Sequence, residues 1–298
     1  MTDDRATCPI ETPDVPALIT RAVHLHQAEH GVRAEPRVLA NEVPIALVFN
    51  GISHAVMMGT PLDLEDFAIG FALSEGIIDS AADCYGVQVR PVAAAAAAGL
   101  PPGMDGLEVQ LEIASRCFMR LKDHRRSMSG RTGCGVCGVE SFAALDLSFD
   151  ALPARDWVAQ VDLSTVLTAI DHLPPLQVLN VQAGAIHAAG WATLDGQVHD
   201  VIEDVGRHNA LDKLLGRLAR TGRLQQAGFV VLSSRGSHEL VRKCAKLGIG
   251  ALATISAPTA MGVRMAELTG LRFWGLCRPP RATLYTAGAG HTLPDAQA

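Results

Sequence analysis

The sequence predicts an α/β protein in two lobes, and three observations predict it. In the second half, short apolar runs alternate with helical patterns, the rhythm of strand–helix–strand crossovers over a mainly parallel sheet. In the first half, a hairpin signature, an amphipathic helix and an alternating strand make a smaller α+β unit. Between the two lies Gly133-Cys134-Gly135-Val136-Cys137-Gly138, a pair of thiols framed by glycines. With 298 residues the chain is long enough for two domains of ordinary size, each with its own core.

Residues 1–33 are rich in proline, histidine and charge without periodicity, and read as a flexible tail. The small lobe is expected over 34–145, ending in the thiol loop, and the larger lobe over 146–290. Pro44–Phe49 and Ile52–Met58 flank Asn50-Gly51, whose two residues tolerate positive φ and so mark a hairpin turn. Asp63 is placed to cap a helix whose apolar face is Leu64, Phe67, Ala68 and Phe71, with Gly76 as its stop. The Ala93–Ala98 run reads as a loop, and Val109, Leu111 and Ile113 alternate as a strand. In the second half, strands are expected at Val198–Ile202, Phe229–Leu232, Ala251–Ile255 and Leu271–Leu276. Helices are expected at about Asn209–Arg220, Ser237–Leu247 and Pro258–Thr269, the last stopped by Gly270.

Composition narrows the function. Apolar residues at 48% and charged residues at 19% suit a soluble globular chain, and a formal net charge of -6 argues against bulk nucleic-acid binding. No run approaches the roughly 18 apolar residues that a membrane helix needs. Met1–Arg5 opens acidic, no signal peptide is evident, and seven cysteines, unpatterned apart from one pair, suit a reducing compartment, so a cytoplasmic location is expected.

Two cysteines so spaced bind a metal, cycle as a disulfide or carry a reactive sulfur. Arg116, Arg120, Lys122, Arg125, Arg126 and Arg131 precede the pair, against the single acid Asp123. Nearby positive charge favours thiolate and makes the sulfur nucleophilic. The segment therefore reads as a mobile arm bearing a working thiol.

A second chemistry sits where the strands end. Glu203, Asp204, Gly206, Arg207, His208 and Asn209 follow the first strand of the larger lobe, and Ser233, Ser234, Arg235, Gly236 and Ser237 follow the second. Ser256 and Thr259 follow the third, and Arg278 and Arg281, separated by Pro279-Pro280, follow the fourth. If those strands are parallel, all four clusters share one edge, which suits a phosphorylated ligand.

The thiol loop, Glu203–Lys213 (EDVGRHNALDK) and Ser256-Ala257-Pro258-Thr259 together resemble the FdhD family of sulfur carriers required for active formate dehydrogenase, over roughly residues 35–287. The resemblance implies sulfur transfer from a cysteine desulfurase to molybdenum (or tungsten) bis(molybdopterin guanine dinucleotide), bound as cargo. It places the persulfide on Cys134, with Cys137 as its partner, and the cofactor-binding segment at Leu276, Cys277, Arg278, Pro279, Pro280 and Arg281. It also implies a cytidine deaminase-like fold for the larger lobe. Whether the cofactor sits in one chain or across a homodimer is left open.

Three rivals are set against this reading. Structural zinc would need a second ligand pair, which Cys84, Cys117, Cys244 and Cys277 do not form by spacing, so no metal is expected. A zinc deaminase needs H-x-E followed by P-C-x-x-C, but Ala188-Ala189 follow His187 and the cysteine pair lies upstream. A non-catalytic cofactor chaperone with structural thiols differs only at the loop. Among single residues, Cys84, Cys117 and Cys244 read as buried, Met57 and Met58 as core, and Lys213 as a solvated helix face. His187 reads either as cleft lining or as structural, and Glu203, Asp204 and His208 either as site residues or as helix caps.

Overall fold

The computed structural model describes residues 14–94, 100–101, 104–126 and 149–293; Cys134 and Cys137 lie outside them. The chain opens with an antiparallel ribbon, β1 (Leu18–Gln27) and β2 (Gly31–Ala40), where the sequence suggests a tail. The ribbon carries little of the period-2 signal because neither of its faces is well buried, and hydrophobic alternation arises only when one face is.

β3 (Val43–Phe49) and β4 (Ile52–Gly59) form the expected hairpin, with φ of 46° at Asn50 and 78° at Gly51. Asn50 also pins the turn to the neighbouring strand: its Oδ1 accepts from Ile113 N at 2.7 Å, and its Nδ2 donates to Ile113 O at 3.0 Å. With β5 (Cys84–Val92) and β6 (Gly106–Ile113) they make a four-stranded sheet in the order β4-β3-β6-β5. α1 (Leu64–Ser74) covers one face, burying Leu64, Phe67 and Phe71 against Ile45, Leu47, Phe49 and Val109. Asp63 stands at the N-cap but makes no cap bond. It adopts a left-handed φ of 52°, and its carboxylate accepts from Arg217 Nη2 at 2.7 Å instead. α2 (Ser115–Arg126) follows β6.

The larger lobe begins with α3 (Leu163–Leu176) and α4 (Asn180–Ala183), and β2 packs against α4. Then come β7 (His187–Ala192), β8 (Val198–Asp204), α5 (Arg207–Arg220) and β9 (Phe229–Leu232). α6 (His238–Lys246), β10 (Ala251–Thr254), α7 (Ala260–Thr269), β11 (Arg272–Arg278) and β12 (Arg281–Thr286) complete it. The six strands lie in the order β12-β11-β10-β9-β7-β8.

β7 is antiparallel to both β8 and β9, while β10 is parallel to β9 and β11. So β8, β9, β10 and β11 run in one direction and their carboxyl ends share an edge. The sequence reading omits β7, an Ala- and Gly-rich strand with low β-propensity, which separates β8 from β9. It also stops the last strand at Leu276, whereas β11 continues to Arg278 and returns as β12 through Pro279-Pro280, a cis peptide. α5, α6 and α7 bury Leu211, Leu214, Leu240 and Met265 on one face of this sheet, and α3 buries Val166, Ile170 and Leu173 on the other.

The two sheets meet through their helices. α1 crosses α5 where Gly70 faces Gly216, and a Cβ on either would run into the backbone carbonyl of Asp212 or Asp66. Buried Asp66 accepts there from Arg217 Nε at 2.9 Å and Arg220 Nη1 at 2.6 Å.

Candidate anion-binding edge

Motif residues after β8 serve first to join the lobes. Lys213, read from sequence as a solvated helix residue, is fully buried. Its Nζ donates to Asp204 Oδ2 at 2.7 Å and to Thr60 O at 2.9 Å, and Thr60 N donates back to Asp204 Oδ2 at 3.0 Å. The other oxygen, Asp204 Oδ1, accepts from Gly206 N at 2.7 Å and from Asn209 Nδ2 at 3.0 Å. Asn209 Nδ2 also reaches Met58 O at 2.8 Å. Both Asp204 oxygens are hydrogen-bonded and the Lys213 ammonium has two oxygen acceptors, the kind of pairing a buried ion pair needs to be tolerated. Met58 itself is exposed rather than core.

A second buried cluster follows one helical turn along α5's inner face. Lys243 Nζ donates to Asp212 Oδ2 at 2.9 Å, Glu75 Oε1 at 2.8 Å and Ser74 Oγ at 2.8 Å. Burial opposes the ammonium's charge, yet Asp212 and Glu75 hold its pKa above the ordinary lysine value. Thus Asp204, Asn209, Asp212 and Lys213 hold α5 against the small lobe. Glu203 is structural too: its carboxylate accepts from Leu179 N and Asn180 N, both at 2.8 Å, fixing the start of α4.

What remains at the carboxyl edge is basic. His208 Nε2 lies 2.9 Å from Glu239 Oε2, a half-buried pair joining the starts of α5 and α6. The hydrogen bond from His208 holds the Glu239 carboxyl down at about 2, and Ser237 Oγ donates to it as well. His187 begins β7 directly opposite Asp204. Burial, then the charge of Arg207, holds its imidazole pKa below the ordinary value. Arg207, Arg235, Arg278 and Arg281 form no ion pair among the described residues, whereas Arg217, Arg220, Arg223 and Arg264 all do.

The segment Leu276–Arg281 divides in two. Arg278, Pro279, Pro280 and Arg281 make an exposed turn at this edge, and Leu276, at φ 52°, is exposed beside it. Cys277 points the other way: it is 0% exposed within the sheet core, and burial pushes its thiol up to about 12. Burial likewise pushes up the Cys244 thiol, and the Cys84 thiol to about 11, as befits packing residues.

Of the basic residues preceding the thiol loop, Arg116 pairs with Asp83 at 2.5 Å and Arg120 with Asp79 at 2.9 Å. Lys122 lies over the Phe118 ring, 4.3 Å from its centre. Asp79, Asp83 and Cys117 cluster closely enough to share a cation, but the two arginines already occupy the carboxylates.

Residues 40–291 match the FdhD/NarQ family. The chain belongs to the FdhD/NarQ family. Among FdhD relatives, "Sulfur carrier protein FdhD" of Chromobacterium violaceum is 50% identical over 249 residues, 84% of this chain and 88% of that one. The protein of that name from Burkholderia mallei is 46% identical over 268 residues, 90% of this chain and 95% of that one. That from Bordetella parapertussis is 48% identical over 248 residues, 83% and 85% of the two chains. A crystal structure of a putative formate dehydrogenase accessory protein from Desulfotalea psychrophila shares the fold, with a TM-score of 0.63 at 21% identity, covering 91% of this chain and 97% of that one. Among the described residues, no helix of this FdhD/NarQ protein is long and apolar enough to cross a membrane.

Proposed function

We propose that this protein is a cytoplasmic sulfurtransferase that carries sulfur as a persulfide on Cys134, from a cysteine desulfurase to molybdenum bis(molybdopterin guanine dinucleotide) destined for formate dehydrogenase. The names of the FdhD relatives support sulfur carriage. The cargo reading rests on one observation, four arginines along a single sheet edge that form no ion pair among the described residues. Guanidinium forks match phosphate oxygens, and four of them gathered on one edge without ion pairs among the described residues, in a protein of net charge -6, suit an anion. Arg278 and Arg281 would hold a guanylyl phosphate, with Leu276, Pro279 and Pro280 shaping the turn and Cys277 acting from beneath as packing. The likeness of the larger lobe to cytidine deaminases belongs to the same proposal, supported by the alternation of β8 to β11 with α5 to α7.

The Cys134 thiolate attacks the outer sulfur of the donor persulfide. The donor S–S bond breaks, the desulfurase leaves as thiolate, and Cys134 holds the new S–S bond with no net oxidation. The Cys137 thiolate then attacks the inner Cys134 sulfur, forming a Cys134–Cys137 disulfide and releasing hydrosulfide as the ligand for the cargo metal. A cellular dithiol reduces that disulfide for the next cycle.

Incubation with a desulfurase and cysteine, followed by mass spectrometry of cysteine peptides without reductant, tests the carrier step. One extra sulfur on the Cys134 peptide, absent in Cys134→Ala, is the expected result. An unmodified peptide beside an active desulfurase would leave a cofactor chaperone in its place.

A further inference from the structure

α5 begins unusually for a helix of its length. Its first turn holds no acidic residue, no side chain caps it, and it opens with Arg207 and His208 where the helix dipole favours anions. Arg207 Nε is shielded from solvent and has no hydrogen-bond partner among the described residues. Strand register brings two other basic residues to this end of the sheet: His187 begins β7 opposite Asp204, and Arg235 follows the end of β9, whose Leu232 lies opposite Ala189 of β7.

The neighbouring carboxylates are all engaged. Asp204 is matched by Lys213, Glu203 by two backbone N–H groups, and Glu239 by His208. Among the described residues, no ion pair balances the guanidiniums of Arg207 and Arg235. We infer that His187, Arg207 and Arg235 form a second phosphate-binding subsite, separate from the Arg278–Arg281 turn, for a second phosphoryl group of the same cargo. The inference rests on the cargo reading above.

Strand spacing gives the separation. β7 lies three places from β11 in the sheet, about 14 Å at the usual distance between strands. A single phosphate cannot bridge that span, whereas a ligand with two phosphate-bearing arms can. An anion seated beside His187 also favours its protonated form, against the charges of Arg207, His208 and Arg235 and with that of Asp204.

The test uses the full chain labelled in its histidine rings, titrated with inorganic phosphate at constant ionic strength with chloride as control. His187→Gln identifies the His187 resonance. Phosphate should shift this resonance saturably and raise its titration midpoint. Arg207→Gln and Arg235→Gln should each weaken the response about tenfold, while the paired Arg278→Gln, Arg281→Gln substitution leaves it in place. A midpoint that phosphate does not move would overturn the subsite. So would a response that survives Arg235→Gln, a change at an exposed residue, in protein with unaltered melting. If Cys134 never takes up sulfur but His187 still answers phosphate, the carrier reading falls and the subsite stands.

Discussion

Lys213 Nζ lies 2.7 Å from Asp204 Oδ2 with both side chains fully buried, and the same ammonium donates to Thr60 O in the other lobe. A residue from a sequence motif thus acts as the bolt between two sheets. Lys213→Met leaves a carboxylate buried without its cation and should cost about 3–5 kcal/mol. The double variant Asp204→Asn, Lys213→Met should lose less than Lys213→Met alone. Urea unfolding of the three proteins measures both, and a double variant as weak as the single would show that the charge is not the cause.

The Gly70–Gly216 crossing gives a steric prediction. A methyl group at either position meets backbone, which cannot step aside as a side chain does. Gly216→Ala should therefore destabilise by about 3 kcal/mol or more, read as a fall in Tm. An unchanged Tm would mean that the helices are not so closely apposed.

The His208–Glu239 pair gives a pH dependence. Glu239 is held at about 2 against an ordinary 4.5, so its contribution to stability is fully present above pH 4.5 and is lost as pH falls towards 2. Wild type should exceed Glu239→Gln by about 1–2 kcal/mol near neutrality, allowing for solvent screening of a half-buried pair. That margin should close over the same acid range in denaturant titrations. A margin independent of pH would remove the charge from the account.

The cysteines should separate by role. Cys277→Ala should cost about 1 kcal/mol of stability and still allow activation of apo-formate dehydrogenase, because its thiol is buried in the sheet and held protonated. Cys134→Ala should fold as wild type and fail to activate. An inactive but well-folded Cys277→Ala protein would give that thiol a chemical part.

Arg278→Gln and Arg281→Gln should each weaken GDP binding by about 10- to 100-fold, the worth of one charge-assisted bond to phosphate. Calorimetry on the folded variants measures it. Unaltered affinity in both would move the guanylyl end away from this turn.

By itself the sequence determined whatever rests on local pattern. The Asn50-Gly51 turn, the α1 face and the alternation from β8 to β11 follow from backbone freedom and hydrophobic period, which short stretches carry within themselves. The edge on which Arg207, Arg235, Arg278 and Arg281 gather was also legible, because parallel strands bring their carboxyl ends together. Tertiary structure decided the rest. The β1–β2 ribbon has no buried face to pattern it, and β7 is too rich in alanine and glycine to announce itself. Nothing in the spacing of Lys213 shows that its ammonium is buried, because its partner Thr60 lies 153 residues away. Likewise, nothing near Cys277 shows that its thiol faces the core while Arg278 faces solvent. Burial and ion pairing depend on which distant surfaces meet, and only the packing of α1 on α5 and the order of the strands supply that.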